Sequence, residues 1–254
     1  MGLMQLNELG LNKIEMAIEI IKQNAIEPYY VANSFGKDSG ICVDLVKRAD
    51  VDADFHYNVS PIDPPEVYKF GRQYHLETVW EHLCKNFWQL VDKKGLPSRK
   101  SRWCCEHIKE GGGSGRIVIT GVRWAEGTSR KSRCMIEPDR KDKTKRYLHP
   151  IICWTDAEVW EYYQITKIPY LSLYNNGWKR VGCVGCPMAG AKTQRRELLA
   201  YPKIANLWHI HATNYFNSHP DSKIAELKTP ERFWDWWLSG KSVKKYLHRE
   251  QSSF

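Results

Sequence analysis

The chain has 254 residues, enough for one sizeable core with or without a small appendage, and its 42% apolar and 26% charged content is that of an ordinary globular protein. No run nears the length of about 18 apolar residues that a membrane span needs, and the first eight residues lack the basic start and apolar middle of a signal peptide, so the expectation is a cytoplasmic protein with no membrane partner. A formal charge of +9 favours anionic partners, nucleotides or nucleic acid, without choosing between them.

In chain order, residues 11–24 place Leu11, Ile14, Ala17, Ile18 and Ile21 on one helical stripe, which Pro28 closes. Residues 29–33 read as a buried strand, 39–49 as a helix with Ile41, Leu45 and Val46 inward, and 53–58 as a second strand. Pro64 and Pro65 open a helix over 65–75, because the first turn tolerates proline. A third strand over 76–80 and a helix over 86–93 follow. The glycine-rich connection Gly111–Gly115 then leads into a strand over 116–120. Strands alternating with helices predict an α/β fold, a parallel sheet with right-handed crossovers. The stretch 128–146, rich in Arg and Lys, reads as a basic loop. Thr155 with Glu158 three residues later is a capping box, and helices are expected over 156–164, 193–200, 203–216 and 230–238. With no linker in sight, residues 1–190 are expected to form the domain and 191–254 a helical extension of it. The 11 tryptophans read as core packing.

The loop Ser34-Phe35-Gly36-Lys37-Asp38-Ser39 stands between a strand and a helix. A helix start there offers unpaired N–H groups and partial positive charge to a phosphate. Gly36 would let the backbone approach, Lys37 would add a point charge, and Ser34 and Ser39 could donate hydroxyls. The Walker A pattern is absent. Arg123 and Arg130 follow a strand's C-terminal end, where ligands of α/β folds bind, so phosphate contact is favoured over a solvated face. Asp63 also follows a strand, where it would touch ribose or base, or simply cap the next helix.

The eight cysteines of a reduced chain are metal-binding, catalytic or structural. Cys104 and Cys105 are adjacent, and Cys183 and Cys186 form a C-x-x-C pair, with 77 residues between the two pairs. Four thiolates suit zinc or an iron–sulfur cluster. Adjacent cysteines fit awkwardly around a single zinc ion, whereas a cubane offers them different irons. Cys42, Cys84 and Cys153 lie in apolar contexts and read as buried structural residues. Cys134, in K-S-R-C-M-I, is the candidate reactive thiol, with Lys131 and Arg133 favouring its thiolate.

S-F-G-K-D-S resembles the PP-loop of the ATP-pyrophosphatase superfamily, usually S-G-G-x-D-S, which includes the phosphoadenosine-phosphosulfate (PAPS) reductase group. The stretch 149–187, from H-P-I-I-C-W-T-D-A-E-V-W to G-C-V-G-C-P, is similar to the corresponding reductase segment. Gly121-Val122-Arg123 with Ser129-Arg130 resembles the family's G-x-R…S-R element. The Cys-Cys…Cys-x-x-Cys arrangement is similar to that of cluster-bearing adenylyl-sulfate reductases. Together these cover most of residues 29–190, and the tail 191–254 matches less well. The resemblance implies a Rossmann-like, adenine nucleotide α-hydrolase-like sheet flanked by helices. It implies an adenine nucleotide, ATP or an adenylyl sulfate with Mg²⁺, bound by Ser34, Phe35, Gly36, Lys37, Asp38, Ser39, Asp63, Arg123 and Arg130. It also implies a 4Fe–4S cluster on Cys104, Cys105, Cys183 and Cys186.

Two departures bear on the reaction. Phe35 replaces the first loop glycine, as in the reductase branch, but Lys37-Asp38 resembles the ATP-using members, including ATP sulfurylase small subunits and DndC-type DNA sulfuration proteins. No cysteine follows Cys186, so the C-terminal Glu-Cys-Gly-(Leu/Ile)-His motif of sulfonucleotide reductases is missing, and His248 alone cannot supply its chemistry. The expectation is an ATP-dependent sulfurtransferase in which Lys37 and Asp38 are catalytic and pyrophosphate leaves. A nucleic acid is a candidate acceptor, and a sulfur- or thiol-donor protein a candidate partner. A reductase making sulfite with a thiol from elsewhere, and a nucleotide- and metal-binding module without turnover, are the alternatives.

Overall fold

A computed structural model describes residues 2–8, 10–82 and 86–251, with side chains to residue 248. In chain order the elements are α1 (Lys13–Gln23), β1 (Tyr29–Ala32), α2 (Lys37–Ala49), β2 (Ala53–Asn58), α3 (Pro65–Tyr74), β3 (Val79–Glu81), α4 (Phe87–Lys94) and α5 (Trp103–Ile108). They continue with β4 (Ile117–Ile119), β5 (Ile136–Pro138), β6 (Arg146–Leu148), α6 (Asp156–Thr166), α7 (Ala191–Ala200), α8 (Pro202–Ser218), α9 (Pro230–Ser239) and α10 (Val243–Gln251). Among the described residues no helix is long and apolar enough to cross a membrane.

The six strands form one sheet in the order β3-β2-β1-β4-β6-β5, all neighbours parallel except β5, which runs antiparallel to β6. The expected parallel sheet is therefore present with an antiparallel edge. That edge is cut from the basic stretch 128–146, where Ile136 pairs with Leu148 and Pro138 with Arg146. Proline is tolerated there because an edge strand need not donate on both sides.

The chain divides into two compact units. The first comprises Met1–Asn58, Pro65–Glu81 and Gly112–Val181, and contains the whole sheet. Alternate strand residues point to opposite faces, so Tyr29 and Val31 enter one core together with Ile117 and Ile119 of β4. Ile14, Ala17 and Ile21 of α1, Ile41, Leu45 and Val46 of α2, and Val159 and Tyr162 of α6 complete it. Each large side chain so buried contributes about 1.5–3 kcal/mol. The ends are tied as the sequence suggests: Asn12 caps α1 in a reciprocal box with Glu15, and Thr155 caps α6 with Glu158.

The second unit comprises Val59–Pro64, His82–Gly111 and Gly182–Phe254. Its core is aromatic: Phe87, Trp103, Trp208, Phe233 and Trp237 pack with Leu90, Val91, Val184 and Leu198. The indole N–H groups of the two innermost tryptophans find carbonyls, Trp208 on Val184 at 3.1 Å and Trp237 on Pro97 at 2.7 Å. The expected division at residue 190 does not coincide with this one. The C-terminal helices share their core with α4, α5 and the loop 59–64 instead of extending the sheet unit.

Among the cysteines read as buried, Cys42 is fully enclosed in the core of the first unit. Cys153 is exposed, a correction with a local cause: the turn that buries Ile151, Ile152 and Trp154 leaves the residue between them facing out. Cys84 lies outside the described residues.

His149, at the end of β6, is fully buried between the sheet and the basic stretch. Nδ1 pairs with the Thr120 hydroxyl at 2.7 Å, Nε2 accepts from Arg133 at 3.4 Å, and Glu137 lies 3.6 Å away. Burial, reinforced by the Arg133 charge, holds its pKa down to about 4. Between that value and the unfolded-state value of about 6.5, the unfolded chain binds a proton that the folded chain refuses, so stability falls as pH falls through this window. The expected loss is up to about 3 kcal/mol. Urea unfolding from pH 7.5 to 4.5 checks it: His149→Gln should flatten the dependence, and a slope identical to wild type would refute the assignment.

Candidate functional site

The expected phosphate loop lies in the sheet unit. Asn33, buried at the end of β1, accepts the Phe35 N–H on Oδ1 at 3.0 Å and turns the chain. Phe35 takes a left-handed φ of 56°, a conformation that costs a non-glycine residue roughly 1–2 kcal/mol. Its ring offsets that cost by full burial among Tyr57, His75 and Trp80, with ring centroids 4.6, 5.3 and 5.6 Å away. Gly71 of α3 makes the room, since a Cβ there would stand 2.5 Å from the ring. The loop then closes on Ser39: its Oγ accepts from the Ser34 N–H at 3.2 Å and donates to the Gly36 carbonyl at 3.1 Å. Gly36 is the residue before α2, with an ordinary φ of −75°, so its small size rather than its conformational freedom matters.

At the first turn of α2 four charged side chains meet. Lys37 Nζ contacts both oxygens of Asp38, at 3.1 and 2.8 Å. Arg123 donates from Nε to Asp38 Oδ1 at 2.7 Å, from Nη2 to Asp156 Oδ1 at 2.6 Å, and from Nη1 to the Trp154 carbonyl at 3.0 Å. Lys37 Nζ stands 3.7 Å from the same oxygen of Asp156. Arg123 is 1% exposed, so it is no solvated arginine. Although burial opposes its charge, Asp38 and Asp156 raise its pKa, and Arg123 and Lys37 lower that of Asp156 against its own desolvation. Two cations and two carboxylates thus balance before any ligand enters. The lysine backbone is gripped as well: its N–H donates to Tyr174 Oη at 3.0 Å, and Tyr163 Oη donates to its carbonyl at 2.7 Å. Gly121 is required by close approach, because a Cβ there would stand 2.6 Å from the Asp38 carbonyl carbon.

Of the expected nucleotide residues, Ser34 to Ser39 and Arg123 come together. Arg130 sits on a 3₁₀ turn, Thr128–Arg130, with Nε 4.0 Å from Glu126 instead of at the loop. Asp63 belongs to the second unit. Asp156, Tyr163 and Tyr174 were not expected at the site. Asp156 carried one signal, its place just after the Thr155 cap, and the tyrosines carried none that separates them from core aromatics.

The four expected metal-ligating cysteines all lie in the second unit. Cys104 and Cys105 stand on α5. Cys183 and Cys186 flank Val184 and Gly185, where Gly185 adopts a left-handed φ of 77°. Buried Gln194 and Glu197 of α7 hold that turn, Glu197 accepting the Gly185 N–H at 3.1 Å and Gln194 donating to its carbonyl at 3.0 Å. The Val184 N–H donates to the Ile62 carbonyl, which ties the turn to the loop 59–64. The Cys104 thiol is raised by its neighbour Cys105, by burial, and by the charges of Cys183 and Cys186. Cys105 is lowered by the hydrogen bond from Cys104 and, against burial, by Arg102, whose Nη2 lies 3.5 Å from Sγ. Burial pushes Cys183 up to about 12. Lys109 Nζ lies 3.5 Å from Asp63 Oδ1, and at the Cys183 thiol the Lys109 charge lowers the pKa while that of Asp63 raises it. Among the described residues no group of three His, Cys, Asp or Glu side chains is drawn together as a single-ion site.

The packing of Phe35 on Gly71 is testable. Gly71→Ala should cost about 1–3 kcal/mol by overpacking. In a Phe35→Ala background, that cost should vanish. Denaturant unfolding of the four proteins measures it, and an equal cost in both backgrounds would show that the contact is not what Gly71 serves.

Comparison with known proteins places the whole chain. The phosphoadenosine phosphosulfate reductase domain matches residues 28–189. Two uncharacterized proteins of Methanocaldococcus jannaschii are each 26% identical, over 83% and 97% of this chain, which spans 46% and 61% of their lengths. An adenosine 5′-phosphosulfate reductase of Geobacillus kaustophilus is 30% identical over 61% of this chain and 71% of its own. The crystal structure of a phosphoadenylyl-sulfate reductase from Candida auris, a phosphate complex, superposes with a TM-score of 0.51 at 16% identity, covering 72% of this chain and 98% of that one. At that identity the likeness speaks for the fold. The loop, the sheet and the paired cysteines thus stand in a chain that belongs to the phosphoadenosine phosphosulfate reductase domain family.

Proposed function

We propose that the chain is an ATP-dependent enzyme of sulfur transfer built on the PAPS reductase fold. The observation that carries this reading is the intact Lys37-Asp38 pair, fixed at the first turn of α2 by Arg123 and Asp156. A triphosphate on Ser34 to Ser39 would meet the helix start and the Lys37 ammonium, and Mg²⁺ entering with it would meet the Asp38 carboxylate. Lys37 would then stabilise the charge that develops on departing pyrophosphate, and the acceptor would be adenylated at an oxygen that sulfur later replaces.

Cys104, Cys105, Cys183 and Cys186 would hold a 4Fe–4S cluster: four soft thiol donors come from two segments of one unit, and Arg102, 3.5 Å from Cys105 Sγ, would offset thiolate charge. When bound, the cluster would supply iron and sulfide for presenting or activating sulfur. A second reading, a sulfonucleotide reductase making sulfite, is favoured by the adenosine 5′-phosphosulfate reductases among the chain's relatives. It would need a thiol from outside the cysteine site, such as exposed Cys134 or a partner protein.

One experiment separates these readings. Protein purified without oxygen is assayed for iron and sulfide, then offered ATP with Mg²⁺, or adenylyl sulfate and PAPS with a thiol donor. The expected result is about four irons and four sulfides per chain, with pyrophosphate formed from ATP and no sulfite from either sulfonucleotide. Sulfite without ATP use would establish the second reading, and a colourless zinc-loaded protein would remove the cluster from both.

A further inference from the structure

The chain's positive charge is unevenly divided. The second unit holds 18 of the 38 Lys and Arg but 10 of the 29 Asp and Glu, and so carries +8 of the net +9. The sheet unit, which holds the phosphate loop, is close to neutral at +1. An anionic small ligand at that loop therefore does not account for the basic character of the protein.

Within the second unit, two basic segments adjoin the cysteine pairs in sequence, one before Cys104 and one after Cys186. The loop before α5 carries Arg99, Lys100 and Arg102, all exposed. Arg99 Nε approaches the Pro187 carbonyl at 3.4 Å, directly after Cys186, and Arg102 reaches Cys105 Sγ at 3.5 Å. The Arg99 guanidinium also lies 3.9 Å from where a Cβ on Gly190 would stand, the residue that opens α7. On α7, Lys192, Arg195 and Arg196 fall at i, i+3 and i+4 and so share one face. That face is exposed and ends in Leu199, 82% exposed, while Gln194, Glu197 and Leu198 bury the other. Among the described residues, Arg99, Lys100, Lys192 and Arg195 pair with no carboxylate. Six cations thus stand on the loop before α5 and on the outer face of α7, and those four have their charge open to an outside anion.

We infer that this basic rim of the second unit docks the phosphodiester backbone of a nucleic-acid strand, which is the acceptor of the transferred sulfur. The inference names the acceptor class and rests on the sulfur-transfer reading above. An array of guanidinium and ammonium groups spaced along a helix face and a loop suits a repeating phosphate chain better than one compact anion. Exposed Leu199 at the end of the stripe offers an apolar surface for an unstacked base. Such contacts position a strand without selecting its sequence.

The test is fluorescence anisotropy of labelled single-stranded RNA, single-stranded DNA and duplex DNA, about 20 nucleotides long, a length that spans several phosphate contacts. The full chain is titrated at several salt concentrations. Wild type should bind at least one of the three at low salt, with affinity falling linearly on a log–log plot as salt rises. The arm that binds tightest identifies the strand type. Arg99→Gln with Lys100→Gln, Lys192→Gln and Arg195→Gln should weaken binding at least about tenfold and shallow the salt slope by about one for each phosphate that is no longer neutralised. Substituting Lys223, Lys228, Lys244 and Lys245 by Gln removes the same charge from the same unit and should leave binding within about twofold, as expected of surface sites outside the bound strand. No binding in any arm, or an equal loss in both variants, would overturn the inference. ATP binding, read separately, should be unchanged in the rim variant. Loss of ATP chemistry with strand binding intact would count against the sulfur-transfer reading and not against the rim.

Discussion

The Asp38 carboxylate, shared between Lys37 and Arg123, is the constraint around which the sheet unit is arranged. Arg123 is fully buried, and a buried guanidinium is tolerable only when its donors are met by anions and carbonyls. Three segments meet that demand: α2 supplies Asp38, α6 supplies Asp156, and the turn before α6 supplies the Trp154 carbonyl. The strand order that places β4 beside β1 brings Arg123 to the start of α2. Gly121 then has to be glycine, because the Asp38 backbone lies where its side chain would be. Fold and site are thus set by one set of contacts. Truncating Arg123 would leave Lys37 as the one cation between Asp38 and Asp156 and free the Trp154 carbonyl of its partner.

Phe35 solves a related problem. A glycine at this position would take the left-handed turn without strain but would leave the loop unanchored. Phenylalanine accepts the strain and fastens the loop to the aromatic nest of Tyr57, His75 and Trp80. The preorganised turn holds Lys37 and the α2 start in place ahead of any ligand, so little ordering cost remains at binding. The chemistry is also divided between the units. The neutral quartet and the loop Ser34–Ser39 belong to the sheet unit, while the thiols, their Arg102 and Lys109 neighbours and most of the net charge belong to the helical one.

Much of this was legible from residue order. Apolar periodicity and proline placement located α1 through α4, β1, β2 and β4, and the capping box located the start of α6 to the residue. The loop and both cysteine pairs stood out by motif. What escaped was short or assembled from afar. Helix α5 has six residues and β5 and β6 three each, too few for a period to emerge from a basic stretch. The second unit draws on three separate segments, so no composition shift marks its edges. Asp63 reads as a strand-end residue, and its ion pair with Lys109, 46 positions on, is not visible in the sequence. Cys153 reads as buried because its neighbours are apolar, yet a turn alternates which of them faces inward.

The claim that matters most is that Lys37 and the α2 start hold the phosphates of ATP. Calorimetric titration of wild type and Lys37→Ala with ATP and Mg²⁺ tests it most directly. Removing one charge-assisted hydrogen bond should weaken binding by roughly 10- to 100-fold, while Arg123 keeps Asp38 paired and the variant folded. Equal ATP affinity in the two proteins, or tight binding of adenylyl sulfate with none of ATP, would contradict the account.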